Sequence, residues 1–115
     1  FLIFPGSEAK LLKGLEKGSS GVISAVTNST HFLARKVFDD FENKMPQTKN
    51  DQLISVRETF DGYNLISALH SFHSTKDENY KNILPPLTLL SEENQKELMK
   101  KLNELKFTLE KNKAA

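Results

Sequence analysis

Two short apolar runs joined by a helical pattern constrain this chain most, because together they predict two parallel strands with a crossover helix. Phe1–Phe4 is apolar throughout, which is typical of a strand buried on both faces. Gly21–Val26 is a second run, rich in β-branched residues. Between the runs, Ser7 is a candidate helix N-cap, and Gly18 can end the helix with a positive φ. The pattern predicts a right-handed βαβ unit.

Two parallel strands do not make a stable sheet alone, since each leaves an unpaired edge and an apolar face. No later stretch of the sequence supplies further strands. One interpretation is a small α+β domain whose edge strands pair with a second copy. The favoured interpretation is that the chain is the end of a larger α/β protein, because it opens on apolar Phe1 inside a predicted strand.

Composition excludes several function classes. A chain of 115 residues is one domain at most, and its formal net charge of +1 gives no electrostatic case for binding nucleic acid or an anionic membrane. No apolar run approaches membrane-spanning length. The absence of cysteine excludes disulfides and thiolate metal sites and fits a cytoplasmic protein.

The remaining sequence predicts amphipathic helices at about residues 31–44, 51–60 and 63–72, and a last helix that Ser91 caps. Ser29 or Thr30 is the predicted N-cap of the first of these, and Asp40 is expected to face solvent. A leucine stripe on the last helix is expected to pack within the chain, although it can also serve a partner helix; it comprises Leu98, Leu102, Leu105 and Leu109. The tail Lys111–Ala115 is expected to fray.

Metal and cofactor chemistry have weak support in the sequence. His70 and His73 are three residues apart on one predicted helix, a spacing that can bind a metal ion. No third ligand occurs at a suitable spacing, so the two histidines are interpreted as surface residues. We therefore predict neither a metal site nor a cofactor.

Three stretches together resemble one enzyme family. Gly21–Ser24, followed by Asn28, resembles the eighth strand and following turn of the dihydrodipicolinate synthase/N-acetylneuraminate lyase family. Phe4–Glu8 is similar to the family's seventh-strand turn, and Leu84–Glu93 resembles the proline-containing entry to its last helix. The three stretches occur in the family's order and at its spacing.

The resemblance implies an α/β fold: the last two βα units of a (β/α)8 TIM barrel, followed by a C-terminal helical extension. Residues 1–45 would form the barrel part and residues 46–115 the extension. Family members usually form homotetramers, so identical subunits are the expected partners.

The resemblance also implies Schiff-base chemistry. Family members use a lysine at the end of the sixth strand to form an imine with pyruvate or another 2-oxo acid, and the imine then serves as an electron sink. That lysine is expected upstream of this chain, about two dozen positions before Gly6. Lys10, Lys13 and Lys17 lie on the first predicted helix and not at the end of a strand, so none of them is predicted to form the imine. No catalytic residue is therefore predicted in this chain, which alone should be inactive.

The substrate-binding candidates are the residues at the two turns after the predicted strands. In the first turn, Gly6 allows close backbone approach, Ser7 offers a hydroxyl, and Glu8 can accept a hydrogen bond from a substrate hydroxyl. Ser24 and Ala25 end the second strand, where the family contacts the imine-bound substrate. The competing interpretation is that Ser7 and Glu8 only cap and charge a helix.

The favoured activity is cleavage or formation of a 2-keto-3-deoxy sugar acid of the 2-keto-3-deoxygluconate type. Pro85-Pro86 and the serine/acid turn look like the archaeal branch of the family, which carries that activity. Dihydrodipicolinate synthase is one alternative, since Gly-Val-Ile-Ser also suits it. A non-enzymatic helical interaction module is the other.

Overall fold

A computed structural model describes residues 1–109, and the predicted fraying of Lys111–Ala115 lies outside this range. The described residues contain five α-helices and two short 3-10 helices, at Glu8–Lys10 and Glu78–Lys81. The α-helices are α1 (Leu11–Glu16), α2 (Thr27–Glu42), α3 (Asn50–Asp61), α4 (Leu65–Ser74) and α5 (Glu92–Glu104). No helix within residues 1–109 is long and apolar enough to cross a lipid bilayer.

The chain divides into two compact units, Phe1–Arg57 and Glu58–Ala115. In the first unit α1 packs on α2, and in the second α4 packs on α5 and on the second 3-10 helix. The predicted division into a barrel part, 1–45, and an extension, 46–115, concerns a larger protein and stays a prediction.

The two predicted strands do not form within residues 1–109. Within residues 1–109, isolated hydrogen bonds join the two runs and the residues beside them: Ser20 N donates to Ile3 O over 2.8 Å, and Ile23 N donates to Pro5 O over 3.1 Å. Donor and acceptor both advance along the chain, so the runs point in the same direction. The donor advances by three residues and the acceptor by two, which breaks the register of a regular parallel ladder.

The predicted burial of Phe1–Phe4 is also absent in this chain. Phe1, Leu2 and Ile3 are 116%, 72% and 55% exposed, and Ile23 of the second run is 69% exposed. A run that is apolar on both faces suits a parallel strand with neighbours on both sides and helices over both faces. The described residues supply one neighbour for each run, so the apolar surface remains open.

The first helical segment follows the sequence pattern closely. Ser7 caps it, with its Oγ accepting from Ala9 N at 3.3 Å, and Gly18 follows α1 with φ +96°. Gly14 lies inside α1 at a close approach, since a Cβ there would lie 2.8 Å from Pro5 Cγ and 2.7 Å from Ser19 Oγ. The missing side chain lets α1 lie against the turn that precedes it.

Helix α2 begins four residues before the predicted start, so the prediction that Ser29 or Thr30 caps it was wrong. Both residues are buried inside the helix, and the Thr30 hydroxyl shares its one proton between Val26 O at 3.1 Å and Glu8 Oε1 at 3.0 Å. The capping preference does not decide the position of Thr30, because a threonine inside a helix can also hydrogen-bond to the carbonyl oxygen four residues earlier. Leu33 and Val37 are buried as the periodicity indicates.

Asp40 is buried, although the sequence pattern placed it in solvent. It is 3% exposed, and its two carboxylate oxygens accept from Lys36 Nζ at 2.8 Å and from Thr48 Oγ1 at 3.1 Å. The hydrogen bond from Lys36 lowers the pKa of Asp40 below its usual 3.8, and the Thr48 bond adds to this against the opposing effect of desolvation. The segment after Pro46 folds back to cover the carboxylate, which helical periodicity alone does not reveal.

The lowered pKa of Asp40 predicts a specific acid dependence of stability. A carboxyl that binds its proton more weakly when folded stabilises the protein above the unfolded-state pKa, and this contribution disappears as pH falls through the folded-state pKa. We expect Asp40→Asn to unfold at lower urea than wild type at pH 6, with the difference shrinking below about pH 4.

The matched control is Asp39→Asn, which removes an exposed pair with Arg35 and should change stability little at pH 6. A difference between Asp40→Asn and wild type that stays constant from pH 6 to pH 3 would contradict the assignment.

An aromatic cluster forms the centre of the second unit. Phe72 is fully buried; its ring packs edge-on against Phe60 and stacks on Phe107, each with centroids 5.7 Å apart. Leu98 and Leu102 of α5 are also fully buried. These contacts join α3, α4 and the segment after α5 within one core.

The predicted cap of α5 is confirmed, and the leucine stripe is buried at three of its four positions. Ser91 Oγ accepts from Asn94 N at 3.1 Å. The helix ends at Glu104, and the chain then turns through Lys106 with φ +58° while Phe107 N bonds to Leu102 O. Leu98, Leu102 and Leu109 are each at most 7% exposed, which supports packing within the chain.

Candidate functional site

The structure brings the two predicted substrate-binding turns together through their side chains. Ser24 Oγ donates to Glu8 Oε2 over 2.7 Å, although the two residues are 16 positions apart. Glu8 opens the first 3-10 helix, and Ser24 lies just before α2. The contact places the ends of the two apolar runs beside each other, whereas the predicted βαβ unit stays a prediction.

Two further residues complete this polar cluster, and neither was predicted. Arg57 Nη1 lies 2.8 Å from Glu8 Oε2 and 2.9 Å from Ser24 Oγ, and Thr30 Oγ1 donates to Glu8 Oε1 at 3.0 Å. Glu8 is 0% exposed, and the Arg57 side chain is 12% exposed. The four side chains form a buried ion pair with two hydroxyl groups, which we call the Glu8 cluster.

A sequence signal for Arg57 exists in the spacing of α3. Leu53, Val56 and Phe60 are each fully buried and form its apolar stripe. Arg57 falls at the i+4 position from Leu53, inside that stripe, and it is the single basic residue of α3. A cation at a stripe position requires a buried anion as a partner, and Glu8 supplies it.

The hydrogen-bonding capacity of the Glu8 cluster is used inside the protein. A serine hydroxyl has one donor and two acceptor positions. Ser24 donates to Glu8 and accepts from Arg57 Nη1 and, at 3.3 Å, from Val26 N. Both oxygens of Glu8 accept bonds as well. The geometry gives Glu8 and the Ser24 hydroxyl a structural role, and the predicted substrate contact of these two residues stays a prediction.

The other predicted site residues lie at more accessible positions. Gly6 and Ala25 are exposed, and a Cβ at Gly6 would meet no atom within 4 Å. The Ser7 hydroxyl caps the first helical turn, as the competing interpretation expects. Asn28 Nδ2 donates to Ala25 O at 2.9 Å and so stabilises the turn. Gly6 and Ala25 are open to solvent, and their role in substrate binding stays a prediction.

The three lysines near α1 and the two histidines of α4 occupy surface or packing positions. Lys10 ends the first 3-10 helix, and Lys13 and Lys17 are exposed on and just after α1. His70 Nδ1 donates to Tyr80 O at 2.8 Å, and the His73 ring stacks on the Tyr80 ring with centroids 5.0 Å apart. Within residues 1–109, no three potential metal ligands of the His, Cys, Asp or Glu type come together.

The fold resembles part of a solved barrel enzyme. The chain superposes on the crystal structure of dihydrodipicolinate synthase from Agrobacterium tumefaciens str. C58 with a TM-score of 0.74 and 18% sequence identity. The match covers 91% of this chain and 35% of that chain. The fold therefore corresponds to part of a (β/α)8 barrel enzyme, and the chain spans about a third of the solved protein's length.

The sequence also matches a known protein family. Residues 1–105 match the Dihydrodipicolinate synthetase family, so the chain belongs to that family of lyases and synthases. No curated protein sequence matches the chain. The resemblance to the family is thereby confirmed, whereas the proximity to archaeal 2-keto-3-deoxygluconate aldolase stays a prediction.

Proposed function

We propose that the protein of which this chain forms the barrel end is a Schiff-base lyase or synthase that acts on pyruvate or a related 2-oxo acid. The single observation that carries the proposal is the family match across residues 1–105. The superposition on a barrel enzyme over 91% of the chain supports the same architecture. In this proposal the imine-forming lysine lies upstream of Phe1, and residues 1–115 alone are inactive.

The exposed apolar surface supports the barrel interpretation. Phe1–Phe4 and Ile23 expose large apolar side chains, and in a closed barrel the neighbouring strands and helices would cover such side chains. We propose that the other βα units of the same barrel cover this surface. A helical interaction module is less well supported, because Leu98, Leu102 and Leu109 are already buried within the second unit.

For the substrate we propose a 2-keto-3-deoxy sugar acid of the 2-keto-3-deoxygluconate type, on the basis of Pro85-Pro86 and the Ser7-Glu8 turn. Dihydrodipicolinate synthesis is the second candidate, and the superposed Agrobacterium enzyme carries that name. We further propose that the protein is cytoplasmic and that it forms a homotetramer. Light scattering on the full-length protein would test the tetramer.

Borohydride trapping on the full-length protein tests the imine chemistry directly. Pyruvate plus borohydride should give a stable covalent adduct on one lysine, which mass spectrometry of peptides would place upstream of Phe1. Residues 1–115 expressed alone should give no adduct under the same conditions. Failure of the full-length protein to form a reducible adduct would contradict the proposal, and comparing cleavage of 2-keto-3-deoxygluconate with dihydrodipicolinate formation separates the two substrates.

A further inference from the structure

We propose that Arg57 is a positioning residue that fixes the Ser24–Ala25 segment at the edge of the substrate site, acting through the Ser24 hydroxyl. The inference rests on the proposed function, since it concerns the binding of the 2-oxo acid. It assigns a role in substrate binding to α3, a helix that contributed no residue to the predicted site.

The geometry of Arg57 carries the proposal. One nitrogen of its guanidinium group, Nη1, contacts both Glu8 Oε2 at 2.8 Å and Ser24 Oγ at 2.9 Å. The contact with Glu8 pairs a fully buried negative charge and thereby stabilises the folded protein. The contact with Ser24 has a second effect, because it fixes the orientation of a hydroxyl next to exposed Ala25.

The Ser24 hydroxyl then transmits this position to the main chain. Its oxygen accepts from Val26 N at 3.3 Å, and the Ser24 carbonyl accepts from Thr27 Oγ1 at 2.5 Å. Ala25 lies in sequence between the residues that make these two contacts. A change in the orientation of the Ser24 hydroxyl therefore moves the backbone that faces the ligand, and small misplacements of binding groups weaken binding substantially.

Arg57→Lys separates the two effects of this residue. Lysine keeps the positive charge near Glu8, but its ammonium nitrogen lies one bond closer to the backbone than Nη1 and lacks the planar fork. The buried carboxylate thus retains a cation, whereas the short contact with Ser24 is lost. Ser24→Ala removes the same contact from the other side, together with the hydrogen bonds of Ser24 to Glu8 and Val26 N, and leaves the Arg57–Glu8 pair in place.

The experiment measures borohydride trapping on the full-length protein as a function of pyruvate concentration. Arg57→Lys and Ser24→Ala should each raise the pyruvate concentration for half-maximal trapping by on the order of tenfold, with the maximal trapped fraction unchanged. The double variant should match Ser24→Ala, since Ser24→Ala already removes the contact between Arg57 and Ser24. Arg35→Lys is the matched control, because Arg35 pairs with Asp39 at an exposed position and its replacement should leave trapping unchanged.

The other outcomes would contradict the proposed function, the positioning role of Arg57 or its action through Ser24. If wild type forms no adduct, the proposed function fails and this inference fails with it. If wild type is trapped and Arg57→Lys behaves like Arg35→Lys, the positioning role alone is wrong. If the double variant shows the product of the two single effects, Arg57 does not act through Ser24. Circular dichroism confirms that each variant is folded, so that a loss of structure is not taken for a loss of binding.

Discussion

An Arg57→Ala variant is expected to have a free energy of unfolding about 3–5 kcal/mol lower than wild type, because it leaves a buried carboxylate without its cation. Glu8 is 0% exposed, and no solvent reaches it to replace the lost partner. The hydroxyls of Ser24 and Thr30 still donate to it, but they carry no charge. Urea denaturation followed by circular dichroism measures the loss.

The reciprocal and double variants make the test specific to the pair. Glu8→Ala leaves the charge on Arg57, which is 12% exposed and can partly regain water, so its loss should be the smaller of the two. The double variant should lose less than the sum of the singles, since the cost of an unpaired buried charge disappears. Arg35→Ala, at a residue whose side chain is 70% exposed, should change stability by at most about 1 kcal/mol. Equal effects of Arg57→Ala and Arg35→Ala would contradict the assignment.

Phe72→Ala is the second large expected effect, with a loss of about 3–5 kcal/mol from removing a buried aromatic ring. Phe72 is fully buried and contacts Phe60 and Phe107 from two sides, so its removal leaves a cavity that the cluster cannot fill by a small shift. Phe72→Leu keeps much of the volume and should cost less.

The control for Phe72 is Leu84→Ala, at a side chain that is 82% exposed in the same unit. This change should stay within about 0.5 kcal/mol of wild type. Because the protein has no tryptophan, far-UV and near-UV circular dichroism serve as the two probes of unfolding. A loss for Phe72→Ala no larger than that for Leu84→Ala would show that the aromatic cluster does not hold the second unit together.

The features that depend on local physics were predictable from the sequence. Ser7 and Ser91 cap helices as expected, and Gly18 adopts a positive φ, because capping and glycine conformation are decided by a few neighbouring atoms. The helices of the second half follow their 3.6-residue periodicity to within a few residues. The family resemblance was visible for a related reason, since turns at strand ends carry characteristic residues.

The features that depend on distant partners were not predictable. The apolar pattern of Phe1–Phe4 predicts a strand that residues 1–109 do not form, since a parallel strand needs neighbours on both sides and the described residues supply at most one. Asp40 is buried by a segment that returns after Pro46, and Arg57 meets Glu8 across 49 positions in sequence. In both cases a contact from outside the residue's own helix buries the charged side chain, so the periodicity of that helix does not indicate it.

Gly14 has a consequence for anyone who tries to make this protein more robust. Helix preference alone would recommend alanine inside α1, where glycine is ordinarily the poorer choice by about 0.5–1 kcal/mol. The neighbouring proline ring occupies the volume that the added methyl group needs. An optimisation scheme that scores each position by propensity would therefore select a damaging substitution here, and the contact between Gly14 and Pro5 must be treated as a fixed constraint of the design.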